Sequence, residues 1–131
     1  MLSNSAKTKN ISQTPVHKKP LGMRGEDIAC AFLIDKSYTI IARNKRMGKG
    51  ELDIVCVHEQ TLVFVEVKSA VSSAYFHPHE HFTHKKSLQL RVLARMFLMQ
   101  SGFANASARI DLITVNFDGN THQLEHFQNV A

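Results

Sequence analysis

Asp53, Glu66 and Lys68 draw attention first, because two acids and a lysine sit inside sequence that is otherwise apolar and β-branched. With Glu51 they fall in GELDIVCVHEQTLVFVEVKSA, residues 50–70. Alternate side chains of a strand share a face. Leu52, Ile54 and Cys56 are therefore expected on one face with Glu51 and Asp53 on the other, and Val63, Val65 and Val67 opposite Phe64, Glu66 and Lys68. The polar stretch 58–61 reads as a turn between two strands. A turn centred between Glu59 and Gln60, with a loop of either two or four residues, sets Asp53 across from Glu66 and Glu51 across from Lys68. The second pair would be an ordinary cross-strand ion pair, worth little. The first would repel by roughly 3 kcal/mol at about 5 Å and an effective dielectric of about 20. A shared proton, a cationic side chain or a metal ion must offset that repulsion. Oxygen-only ligands beside a lysine favour a hard cation, Mg²⁺ or Mn²⁺, over zinc. Such a set points to phosphoester chemistry.

The flanking elements must carry these strands. Residues 23–36 show apolar Ala29, Cys30, Phe32 and Leu33 at helical spacing, with Glu26 at the N-terminal end of the same stripe. Glu26 is either an acid aimed at the site or a first-turn carboxylate complementing the helix dipole. Residues 38–44 read as a strand running into a Gly-containing loop, where Arg43, Lys45, Arg46 and Lys49 gather as a candidate phosphate-binding cluster. Residues 85–101 read as a helix, with Leu88, Val92, Met96 and Met99 as its core stripe and Gly102 as its stop; Arg91 and Arg95 fall on another face, read as solvated. Two more strands flank Asp118-Gly119. The fold class expected is α/β, a mixed sheet flanked by helices in the order α-β-β-β-α-β-β.

Composition bounds the rest. A chain of 131 residues, 44% hydrophobic and 21% charged, has the size and make-up of one globular domain. No apolar stretch is long enough to span a bilayer, so a soluble cytoplasmic protein is expected. Cys30 and Cys56 read as small buried groups in a reducing compartment. Residues 1–21 carry Lys7, Lys9, Lys18 and Lys19 and no acid, and are read as a disordered basic tail; residues 22–131, nearly neutral, form the single domain. His77, His79, His81 and His84 form a His-rich stretch that could bind metal.

Gly25-Glu26, GELDIV at 50–55, FVEVKS at 64–69, Lys85 and RIDLITV at 109–115 together resemble the small YraN-type family, proposed to be bacterial endonucleases. That family is similar to Holliday-junction resolvases and to the wider restriction-endonuclease-like fold with its PD-(D/E)XK motif. The resemblance implies catalytic roles for Asp53, Glu66, Lys68 and Glu26, and Mg²⁺ or Mn²⁺ bound by Asp53, Glu66 and the carbonyl of Val67. It further implies Lys68 at the attacking water, Glu51 as a partner of Lys68, and Arg43, Lys45, Arg46, Lys49 and Lys85 on the DNA backbone. Cleavage of DNA, of branched structure rather than defined sequence, and a homodimer follow as expectations; a non-catalytic nucleic-acid-binding module is the alternative. Leu52 stands where the wider motif often has proline, and Ala70 where a basic residue is expected.

Overall fold

Glu59 and Gln60 both adopt left-handed backbone conformations, with φ of 50° and 69°. This is the two-residue hairpin geometry whose twist suits the flanking strands. His58 pairs with Thr61 across it, which fixes the register predicted from the sequence.

The structure, a computed structural model, describes residues 19–71 and 82–131. Among them the elements run α1 (Leu21–Asp35), β1 (Thr39–Met47), β2 (Gly50–His58), β3 (Thr61–Val71), α2 (His84–Gln100), β4 (Ser107–Asp118) and β5 (Thr121–Phe127). The expected order α-β-β-β-α-β-β holds. The strands form one sheet in the order β1-β2-β3-β4-β5. Only the β3–β4 pair is parallel, and α2 supplies the crossover such a pair requires. No described helix is long and apolar enough to cross a membrane. Residues 1–18 of the expected tail, and His77, His79 and His81, lie outside the described residues. Leu21, expected to end the tail, instead belongs to the first turn of α1.

The sheet forks. Pairing between β2 and β3 runs from His58↔Thr61 to Ile54↔Val65 and stops. Beyond that point β2 stays with β1 as far as Met47↔Gly50, and β3 stays with β4 as far as Val71↔Phe117. Asp53 and Glu66 are the first residues past the last rung.

Each face of the sheet buries one helix. Ala29, Cys30 and Leu33 of α1 pack on Ile54, Cys56, Val63, Val65 and Val67, while Leu90, Leu93, Ala94 and Phe97 of α2 pack on Val55, Leu62 and Phe64. The Phe64 and Phe97 rings meet edge to face at 5.7 Å. Two expectations fail here. Leu52 leaves the face of Ile54 and Cys56 and joins Met47 and Val55 on the α2 side. The alternation breaks at the fork, where β1 also distorts: Asn44 has φ of 48° and falls opposite Asp53, between the pairs Arg43↔Ile54 and Lys45↔Leu52. In α2 the core stripe is Leu90, Leu93, Ala94 and Phe97, whereas Leu88, Val92 and Met99 are 49%, 59% and 70% exposed. Apolar residues occur on two sides of this helix, so periodicity alone does not tell which side meets the sheet.

Both cysteines are free and buried, as expected. Burial pushes the Cys56 thiol up to about 12, which leaves it inert as a nucleophile.

Gly25 sets how closely α1 approaches the forked edge. A Cβ placed there would fall 1.8 Å from Ser69 Oγ and 3.1 Å from Ser69 Cβ of β3. Gly25→Ala should destabilise the fold by about 1–2 kcal/mol, overpacking outweighing the helix propensity of alanine. Ser69→Ala in the same chain should restore most of it, since only the 3.1 Å contact remains. Urea unfolding of the two single variants and the double variant measures this, and additive effects would contradict the contact.

Candidate active site

Where β2 and β3 part, the N–H of Val67 has no ladder partner on β2. Asp53 supplies one: its Oδ2 accepts from Val67 N at 2.9 Å. A side chain thus replaces a rung, and the Asp53 carboxylate is held in the seam beside Glu66. Glu66 itself is only 4% exposed. A buried carboxylate without partners would cost several kcal/mol. Two ammonium groups meet it, Lys68 Nζ at 3.4 Å and Lys86 Nζ at 3.3 Å, both on Oε2. Lys68 reaches Glu66 from two residues along the same strand, and Lys86 reaches it from the first turn of α2. Thr83 caps that turn, its Oγ1 accepting from Lys86 N at 3.1 Å.

Asp53 is raised from its ordinary value to about 7. Burial is the largest cause and the charge of Glu66 the next; the Val67 N–H opposes them, and Glu26 adds a smaller push in the same direction as Glu66. The repulsion anticipated from the sequence is therefore present, and two lysines and a retained proton relieve it.

Glu26 approaches from α1. The helix starts at Leu21 and carries no acid in its first turn, so Glu26 lies in the second and the helix-dipole explanation fails. Asn44 Nδ2 donates to Glu26 Oε1 at 2.8 Å, and Arg43 Nη2 lies 3.9 Å from the same oxygen. Arg43 chiefly pairs with Asp27, at 2.9 Å, which Lys19 also meets at 3.1 Å. The left-handed Asn44, opposite Asp53, thus ties Glu26 to β1, while Arg43 ties the next residue of α1 to the same strand.

Several expected placements change. Arg43, Lys45 and Arg46 are not in a loop but on the edge strand β1, all exposed; only Lys49 lies in the turn that follows. The strand continues to Met47 because that side chain is buried against the α2 side of the sheet. Glu51 makes no ion pair with Lys68, since the fork removes the rung that would face them; it is exposed and opposite Arg46 of β1. Lys85 is exposed, and its neighbour Lys86 is the residue at the carboxylates. Thr83 as an N-cap was the available signal, because it places Lys86 in the first turn.

The donor set decides which metal this geometry suits. Among the described residues no group of three or more His, Cys, Asp or Glu side chains could hold a metal ion, so the residues do not make a closed protein cage of the zinc type. Two carboxylates, Asp53 and Glu66, with water completing the shell, are oxygen donors of the kind Mg²⁺ takes. The residues present fit a hard, hydrated cation.

Protonation of Asp53 has a consequence for stability. Its folded value, about 7, lies above the ordinary 3.8. Its contribution is therefore fully present below about pH 4 and lost as pH rises through about 7, at about 1.4 kcal/mol per unit of separation. Asn at this position keeps a carbonyl to accept from Val67. In chelator, Asp53→Asn should be more stable than wild type by about 4 kcal/mol at about pH 8, with the difference vanishing near about pH 4. Urea unfolding at both values checks the sign.

A cavity of 580 Å³ between α2, β4 and the segment after β5 includes none of Glu26, Asp53, Glu66 or Lys68 among its lining residues. The chemistry-bearing residues belong instead to the seam of the sheet. Comparison with known proteins agrees with the family resemblance. A family model described as "Uncharacterised protein family UPF0102" matches residues 25–115, the span from Gly25 to Val115 that holds Glu26, Asp53, Glu66 and Lys68. A UPF0102 protein of Geobacter metallireducens is 39% identical over 114 residues, covering 87% of this chain and 93% of its own. One from Desulforamulus reducens is 38% identical over 118 residues, covering 87% and 97%. One from Clavibacter michiganensis is 41% identical over 98 residues, covering 75% and 83%. With the match running through both helices and four of the five strands, the chain belongs to the UPF0102 family, the YraN-type family.

Proposed function

We propose that this protein is a metal-dependent endonuclease that hydrolyses phosphodiester bonds of DNA, selecting branched or otherwise distorted structure rather than sequence. The observation that carries the proposal is the placement of Asp53 and Glu66 together at the fork with Lys68 and Lys86 against them. Asp53, Glu66 and the carbonyl of Val67 would hold Mg²⁺ or Mn²⁺, with Glu26 near enough to bear on Asp53. The ion, when bound, would neutralise charge developing on the phosphate. Lys68 orients the attacking water or takes its proton. Lys86, beside the same acid, neutralises charge on the substrate side. Arg43, Lys45, Arg46, Lys49 and Lys85, all exposed on β1, its turn or the start of α2, hold the backbone; contacts of that kind carry no sequence information.

One observation favours a second reading, a nucleic-acid-binding module without chemistry. Two lysines already neutralise Glu66, and Asp53 can keep its proton, so the cluster is electrostatically satisfied with protein groups alone.

Cleavage of labelled duplex, single-stranded, flapped and four-way DNA in Mg²⁺ or Mn²⁺ separates the two. On the nuclease reading wild type cuts, Glu66→Gln and Lys68→Ala lose at least about a hundredfold in rate, and Glu51→Gln stays within about twofold. Salt-sensitive binding without cleavage would establish the binding module instead. Cation occupancy has its own readout: Mg²⁺ should raise the melting temperature more at about pH 8 than at about pH 5, and Glu66→Gln should abolish the rise.

A further inference from the structure

The outer face of α2 takes no part in the site or in the core, yet it is not an ordinary solvated face. Leu88, Val92 and Met99 follow one another along it at spacings of four and seven, and all three are about half exposed or more. Over these residues the stripe is about 17 Å long at the rise of an α-helix. The helix HKKSLQLRVLARMFLMQ contains no acid at all, and Arg91 and Arg95 lie one turn apart beside the stripe. A hollow flanks each side. One, of 360 Å³, lies toward the β1–β2 turn and is lined by Met47, Val92 and Met96 with Lys49 at its edge. The other, of 580 Å³, lies toward β4 and is lined by Leu98 and Ile110 with Arg91 and Arg95.

We propose that this face is a docking surface for a segment of a partner protein that carries carboxylates among large apolar side chains. The apolar side chains fill the two hollows and cover Val92 and Met99, and the carboxylates meet Arg91 and Arg95, for which a planar bidentate pairing is available. Charge selects this occupant over the others. A second copy laid on the same face would bring Arg91 and Arg95 of each copy to one seam that holds no acid of α2. The chain's own residues 1–18 carry lysines and no acid, so they bring the same sign. A nucleic-acid backbone would satisfy the arginines but offers nothing to fill apolar hollows. The face is independent of the seam that holds Asp53 and Glu66.

Fluorescence anisotropy with the full chain tests this, using a short labelled peptide that alternates Glu with Leu and Phe, and its counterpart with Lys in place of Glu. The acidic peptide should bind and the basic one should not. Arg91→Glu with Arg95→Glu, and separately Val92→Ser, should each weaken binding about tenfold or more. The loss with Val92→Ser should persist at high salt, where the arginine contribution fades. All three positions are on the helix surface, and circular dichroism confirms that the variants fold. Failure of the acidic peptide to bind, equal binding of the basic peptide, or binding indifferent to these substitutions would overturn the proposal. So would self-association of the chain, adhesion to anionic phospholipid vesicles or duplex binding, if abolished by Val92→Ser while the peptide is ignored.

Discussion

One hydrogen bond organises the molecule, that from the N–H of Val67 to the side chain of Asp53. A main-chain donor at the end of a ladder must find an acceptor or face water. Here the acceptor is a side chain, and using it lets β2 and β3 separate while their backbones stay satisfied. Past the separation the first half of β2 keeps β1 as its one paired neighbour and the second half of β3 keeps β4. It also creates the seam in which two carboxylates stand together. Gly25 then allows α1 to close on β3 near Ser69, which brings Glu26 to the same place. Asn44, forced into a left-handed conformation opposite Asp53, holds it there. Residues in sparsely populated backbone regions gather at functional sites because surrounding structure maintains them there.

The electrostatics of the seam are balanced locally. Glu66 is nearly sealed from water and would be costly alone, but two ammonium groups sit on one of its oxygens. Asp53 instead accepts a main-chain N–H and holds its proton to about pH 7. Two acids in one site thus have different environments, which is how a cluster of like groups divides its roles. On the neighbouring strand β4, in register with Val65, a second buried acid, Asp111, is solved differently. It meets Arg109 Nε at 3.0 Å, His126 Nε2 at 2.8 Å and the N–H of Asn129 at 2.9 Å, and burial notwithstanding these partners hold it below the usual carboxylate range. Asp111 is a closed structural knot; Asp53 and Glu66 are not closed in this way.

The sequence disclosed the parts that depend on local pattern and on charge. The hairpin register followed from the position of the polar turn, and that register alone put Asp53 against Glu66. The motif segments found the family. What stayed hidden depends on where strands stop pairing. Nothing local marks Ile54↔Val65 as the last rung, so the spacing alone pairs Glu51 with Lys68 across a ladder that has already ended and puts Leu52 on the face opposite to its own. Lys85 stands out through the family resemblance, whereas the contact of Lys86 with Glu66 joins α2 to β3 and no local spacing displays it. In α2 two apolar stripes compete, and only the partner surface, Phe64 above all, decides which is inward. The Asp111 knot involves five residues from four separate segments, including Tyr38, whose hydroxyl accepts from Arg109 Nη2 at 2.8 Å; no single spacing displays it.

The fork gives the acid pair a mechanical property that an unbroken ladder would deny it. Asp53 belongs to one prong and Glu66 to the other, and past Ile54↔Val65 no backbone rung fixes the distance between them. What joins them there is a side-chain hydrogen bond, Asp53 accepting from Val67, together with the packing of both cores across the fork. On the proposed reading, a cation shared by the two acids would itself join the prongs, at the stretch where the ladder supplies no rung.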